Sequence, residues 1–141
     1  MQLTPTIWDS PAEWLRAHPA GGPVLFFSPA ALQARVQQFR EGFPGLVTYA
    51  VKANPEPDVV ANLLAAGIGA FDVASVEEIE TVRALAPRAA LHFNNPVRSR
   101  AEIAAAVAAG VASYSVDSVS ELAKLETAVP AGTELAVRFK L

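Results

Sequence analysis

The chain has 141 residues, 52% of them apolar and 18% charged, with a formal net charge of −3. That is one ordinary domain with enough apolar surface for a core, and its sparse, unclustered Lys and Arg argue against nucleic acid as a partner, because phosphate binding needs a basic cluster. The absence of cysteine removes disulfides and thiolate metal sites.

Residues 1–23 read as an arm and hinge, with Pro5, Pro11, Pro19, Pro23 and the pair Gly21-Gly22. A short helix is expected from Pro11 to Ala17, with Ser10 as N-cap and proline at its first position. Trp8 and Trp14 are expected to cover something apolar. The start of the chain lacks a basic stretch followed by an apolar one, so no secretory signal is expected. No apolar run of about 18 residues is present to span a bilayer. A soluble cytoplasmic protein is the expectation.

From Val24 onward the pattern is regular. An apolar run, Val24 to Phe27, leads through Ser28-Pro29 into a helix over Ala30 to Phe39. Strands are then expected at Val47 to Lys52, Ala70 to Val73, Ala90 to Phe93, Ala112 to Val116 and Leu135 to Phe139. The strand ends at Lys52, Val73, Asn94, Val116 and Arg138 are 21 or 22 residues apart, a βα-unit spacing. A solenoid has similar periods, but no leucine-rich consensus is present. Between the strands, Ser75-Val76-Glu77-Glu78, Ser99-Arg100-Ala101-Glu102 and Ser118-Val119-Ser120-Glu121 have the form of capping boxes. Gly67 and Gly110 stand where helices should stop, and Val59, Val60, Leu63 and Leu64 form an apolar stripe.

Three strands end alike, in Ala50-Val51-Lys52, Ala70-Phe71-Asp72 and Ala136-Val137-Arg138. A period of two puts alanine and the charged residue on one face, and Val51, Phe71 and Val137 on the other. In a (β/α)8 barrel the large apolar side meets the helices, and the charges collect at the C-terminal mouth, where such enzymes place their chemistry. A two-sided open sheet is the competing architecture.

Lys52 is the first candidate for chemistry. Held among apolar walls, its ammonium form is disfavoured and its amine becomes a nucleophile for a carbonyl. The alternative is a lysine marking a solvated strand end. Arg138, permanently charged, would suppress protonation of Lys52 and orient an anionic ligand, while Asp72 would favour a cationic nitrogen. The alternative for these two is a structural Asp–Arg pair closing the rim. Asn94-Asn95-Pro96 offers amides and a rigid turn at the same rim, and Asp117 reads as a helix-entry residue feeding the Ser118 cap. His18 and His92 have no partner at metal-ligand spacing, so no metal is assigned. No glycine run of phosphate-cradling form occurs.

Tyr49-Ala50-Val51-Lys52-Ala53-Asn54 resembles the signature of the fold-type III pyridoxal-phosphate (PLP) decarboxylases, the ornithine, diaminopimelate and arginine decarboxylase family. Phe71-Asp72-Val73-Ala74-Ser75 with Glu78 is similar to a second block of that family. Asn95-Pro96 with Arg98 resembles a block of its ornithine and arginine branches. Asp117-Ser118 with Glu121-Leu122 and Lys124-Leu125 resembles a fourth block, and Val137-Arg138 a fifth. Residues 24–141 carry all five in order.

The resemblance implies an α/β fold, the N-terminal part of an alanine racemase-like, PLP-binding (β/α)8 barrel of TIM type. It implies PLP as cofactor, held on Lys52 as a Schiff base. Asp72 would lie near the imine, Arg138 near the ring, and Glu78 would support that charge network. It implies decarboxylation of a basic amino acid, ornithine to putrescine above others, in a homodimer. Diaminopimelate decarboxylation, racemisation, a cofactor-free binding protein and a Schiff-base aldolase are the competing readings. In that family further strands complete the barrel and a β domain follows. The sequence is therefore expected to be a truncated piece, with two open sheet edges and an apolar face, inactive alone.

Overall fold

The computed structural model describes residues 7–18 and 21–139. Pro5, Pro19, the first six residues and the last two lie outside the described residues, so the expectations about the chain's start and end do too.

Helix α1 (Pro11–Ala17) begins as expected, the Ser10 hydroxyl accepting from Glu13 N at 3.2 Å. It fixes Trp14, whose ring stacks on His18 at 4.7 Å and meets Phe26 edge-on at 5.7 Å. Helix α2 (Pro29–Gly42) follows, capped by Ser28. The repeating part then runs β1 (Tyr49–Ala50), α3 (Pro57–Ala65), β2 (Ala70–Val73), α4 (Val76–Leu85), β3 (Ala90–Phe93), α5 (Arg100–Ala108), β4 (Ser113–Val116), α6 (Val119–Glu126) and β5 (Glu134–Val137).

The strands form one parallel sheet in the order β1-β2-β3-β4-β5. Each strand lies beside its predecessor and the order never reverses. A doubly wound sheet reverses at a switch point and carries helices on both faces; sequential winding is that of a (β/α) barrel sector. Side-chain sorting agrees. Phe71, Val73, Leu91, Phe93, Tyr114 and Val116 share one buried cluster with Val60 and Leu63 of α3, Ile79 and Val82 of α4, Ile103 of α5 and Leu125 of α6. Each fully buried side chain of this size contributes about 1.5–3 kcal/mol relative to exposure. The opposite face carries small and polar residues. The pairing aligns Ala50, Asp72, His92, Ser113 and Glu134 in one row across all five strands.

Several expectations need correction. The first strand is shorter than Val47 to Lys52. Its ladder ends at Ala50, and Val51–Ala53 curl into a 3-10 turn closed by Asn54 N–H on the Val51 carbonyl at 3.1 Å. The last strand lies at Glu134–Val137 rather than Leu135 to Phe139. Val137, expected against helices, is 61% exposed, since no described element packs over that end of β5.

Of the three boxes, only Ser99–Glu102 is reciprocal. Glu78 reaches one residue further back, accepting from Ala74 N at 2.8 Å, and Glu121 turns instead to the Lys124 ammonium. The serine half of each cap is nonetheless made. Gly67 and Gly110 end their helices at φ 95° and 67°, where a side chain would strain the backbone.

Candidate active site

The C-terminal ends of the strands enclose a cleft of about 200 Å³, whose wall includes Lys52, Asp72, Asn94, Asn95, Pro96 and Arg138. Each side chain arrives by a local device. The 3-10 turn after β1 carries Val51 into the core and leaves Lys52 on the pocket side, exposed. Asp72 stands on β2, flanked by the core residues Phe71 and Val73, and is half-buried. Arg138 lies one residue beyond β5, and its N–H donates to the Val116 carbonyl at 2.7 Å, prolonging the ladder to the rim. The face shared by Lys52, Asp72 and Arg138 is thus the one that a period of two assigns.

Two details differ from expectation. Lys52 is exposed rather than held among apolar walls, and the cleft around it mixes Ala50, Val73, Ala74 and Pro96 with polar side chains. Asp72 and Arg138 do not form a structural pair: among the described residues the one salt bridge joins Lys124 to Glu121, and no hydrogen bond engages the side chains of Lys52, Asp72 or Arg138. Three charged groups therefore face one small space without partners. Charged groups of both signs converging on one cleft are a candidate ligand site.

The cleft's other walls are braced from behind. Asn95 donates its amide to the Ala74 carbonyl at 3.3 Å and accepts from Val97 N at 3.3 Å, tying the β3–α5 loop to the end of β2. Glu78 does not line the cleft. Its carboxylate is committed to Ala74 N, so its link to the site runs through the Ala74 backbone. The Ser115 hydroxyl donates to the Asn94 side-chain oxygen at 2.7 Å, which orients that carboxamide across β3 and β4.

Arg98 serves the rim from the other face. It is 2% exposed, lies beside the rings of Phe93 and Tyr114 at 5.3 and 5.5 Å, and donates to the carbonyls of Phe93 and Ser115 at 3.1 and 2.5 Å. Burial lowers its affinity for its proton, and the neighbouring Glu121 carboxylate opposes that shift. Burial also pushes the Tyr114 hydroxyl up, with Arg98 acting against it.

Sequence reasoning missed two residues here. His92 stands out in the sequence only as a possible metal ligand, yet Leu91-His92-Phe93 repeats the parity of Phe71-Asp72-Val73, which is enough to put it on the cleft side of the sheet. Arg98 was read as part of a motif, and nothing in its spacing marked it as buried. A larger hollow of about 530 Å³ lies against Gln38, Phe39, Gly42, Phe43, Leu46 and Val47, without an ionisable side chain in its wall. Chemistry has nothing to use there.

Residues 30–141 match the family described as pyridoxal-dependent decarboxylase, pyridoxal binding domain. An ornithine decarboxylase of Panagrellus redivivus is 36% identical over 105 residues, covering 74% of this chain and 24% of the relative. A diaminopimelate decarboxylase of Zymomonas mobilis is 32% identical over 129 residues, covering 86% and 30% respectively. Among solved structures, the arginine decarboxylase of Paramecium bursaria Chlorella virus, bound to agmatine, superposes with a TM-score of 0.80 at 26% identity. That match covers 92% of this chain and 35% of the viral one. The chain thus spans about a quarter to a third of the proteins it matches.

Proposed function

The chain belongs to the pyridoxal-dependent decarboxylases, by their pyridoxal binding domain, and on that premise we propose that the whole protein removes the α-carboxyl group of a basic amino acid, ornithine before others. On this reading residues 24–141 supply part of the barrel and residues 1–23 an arm, and the working form is a homodimer.

The observation that carries the reading is the meeting of Lys52, Asp72 and Arg138, all without side-chain partners, in one cleft. Those groups fit PLP, the family's cofactor. Lys52 offers an amine for the aldehyde, Arg138 a guanidinium for an anionic partner, and Asp72 a carboxylate for a cationic nitrogen. When bound, PLP supplies the electron sink that lets a carbon–carboxylate bond break.

The residues of this chain bind and orient. Lys52 would hold the cofactor through its amine. Asp72 holds positive charge on nitrogen beside the reacting carbon. Arg138 keeps an anionic group fixed at the rim, and the Asn94-Asn95-Pro96 segment closes one side of the space. The Asn95-Pro96 block with Arg98 favours ornithine, lysine or arginine as substrate. A second reading, diaminopimelate, is supported by the Zymomonas relative.

The test is spectroscopic. PLP added to the protein is expected to develop the visible band of a lysine-linked pyridoxal, absent in Lys52→Ala. Product analysis on the full-length protein then separates putrescine from cadaverine, agmatine and lysine. A folded protein giving no band, or a band that survives Lys52→Ala, overturns the assignment.

A further inference from the structure

The row of cleft-side residues below the rim holds an unexplained imidazole. His92 on β3 is the register partner of Asp72 on β2 and of Ser113 on β4. Its Nδ1 lies 2.7 Å from the Ser113 hydroxyl. Its Nε2 is buried and has no hydrogen-bond partner among the described residues. His92 is not part of the cleft wall, whereas Asp72 is. The imidazole therefore sits beside, and in the same row as, the group that faces the ligand.

The geometry of an imidazole decides where that second nitrogen points. Nδ1 and Nε2 diverge widely across the ring, so committing Nδ1 to β4 turns Nε2 away from β4. The in-register neighbour on the remaining side is Asp72, whose carboxylate also lacks a hydrogen-bond partner. Adjacent strands are about 4.8 Å apart, so one side-chain rotation separates the two groups from contact. A buried nitrogen left unsatisfied is costly, and a charge-assisted bond to a carboxylate removes that cost.

We infer that His92 is a positioning residue for Asp72. Ser113 donates its hydroxyl proton to Nδ1, which fixes the neutral ring with its proton on Nε2. That N–H then holds the Asp72 carboxylate at the angle from which it meets a cationic nitrogen in the cleft. The other charged groups on this face are Lys52 after β1, Glu134 on β5 beyond Ser113, and Arg138 at the rim. Lys52 and Arg138 attract the carboxylate toward the cleft; His92 holds it from the neighbouring strand. The relay rests on the reading of Asp72 as the cleft's acting carboxylate.

Two measurements on the full chain separate the failure of this idea from failure of the pyridoxal reading. In the ligand-free protein, long-range proton–nitrogen NMR of labelled histidine is expected to show His92 as the Nε2–H tautomer at pH 8. Ser113→Ala should mix the tautomers, and Asp72→Asn should move the Nε2 resonance. With PLP added, His92→Leu should weaken binding about three- to tenfold, the worth of one hydrogen bond, whereas His92→Gln, which keeps a donor, should stay within about twofold. An Nδ1–H tautomer in the unmodified chain, an Nε2 signal indifferent to Asp72→Asn, or equal PLP binding by the leucine and glutamine variants overturns the relay. Failure of the unmodified chain to bind PLP removes only the pyridoxal reading, because the tautomer arm stands without ligand.

Discussion

Replacing Arg98 with methionine removes a guanidinium from a site that is 2% exposed and keeps most of the side-chain volume. Several effects compete. The carbonyls of Phe93 and Ser115 each lose a charge-assisted donor, and an orphaned buried acceptor costs about 1–3 kcal/mol. Two ring contacts, with Phe93 and Tyr114, are each worth about 0.5–1 kcal/mol. Against these stands relief from desolvating a cation, several kcal/mol per ion. Swapping buried ions for apolar groups is often neutral when both partners are replaced. Here the partners are backbone carbonyls, which no side-chain change can remove, so the loss wins. The expected net cost is about 2–3 kcal/mol, or a urea midpoint lower by about 1–2 M for a domain of this size. Equilibrium urea unfolding followed by circular dichroism reads it directly. Arg98→Lys, which keeps the charge and reaches one carbonyl, should fall between. A methionine variant within about 0.5 kcal/mol of the unmodified chain refutes the idea that Arg98 staples the ends of β3 and β4.

Ser99→Ala should cost about 1 kcal/mol in the same assay, because it removes the serine half of the reciprocal box at the start of α5. The Ser99 hydroxyl and backbone hold the Glu102 carboxyl below its ordinary value. Since the folded-state value is the lower one, this contribution is complete above the usual carboxylate range and is lost as pH falls through the depressed value. Carbon-detected NMR titration should show Glu102 moving back up in Ser99→Ala. Gly67→Ala forces a β-carbon into the left-handed region at φ 95° and to 2.3 Å from an Arg40 nitrogen. The arginine end can swing aside, so the backbone strain dominates and thermal unfolding should report a loss of about 1–2 kcal/mol. In Asp72→Asn, PLP should still link to Lys52, while any turnover of the full-length protein falls at least about tenfold, the mark of a group that acts on charge rather than on anchoring.

The chain period, the helix starts and the barrel-type sorting of faces were legible because each rests on local chemistry. Serine caps declare themselves by spacing, Gly67 and Gly110 by the conformation they alone take easily, and Phe71 against Asp72 by strand parity. The 3-10 turn at Val51 was not legible: it follows from β1 having its only pairing on the β2 side, a tertiary fact that leaves the residues after Ala50 free to curl. The diversion of Glu121 from its box was hidden for a similar reason. Its competitor, Lys124, lies on the same helix, but whether a glutamate caps or pairs depends on the burial around it. For the candidate site, parity was enough to gather Lys52, Asp72 and Arg138. It could not say that they stay unpaired, which distinguishes a ligand-directed cluster from a closed rim.

The convergence of three charged side chains on one rim of the sheet supports a functional cleft more strongly than any single residue does. On the helix side, Arg98 donates to the Phe93 and Ser115 carbonyls and Glu121 pairs with Lys124, although Arg98 Nε, the Tyr114 hydroxyl and Glu121 Oε2 have no hydrogen-bond partner among the described residues. On the cleft side, Lys52, Asp72 and Arg138 converge without a side-chain partner among the described residues, while the neutral groups beside them, His92 with Ser113 and Asn94 with Ser115, are linked across strands. Three charges converging on a braced floor stay available to a bound molecule, the arrangement expected where stability yields to function.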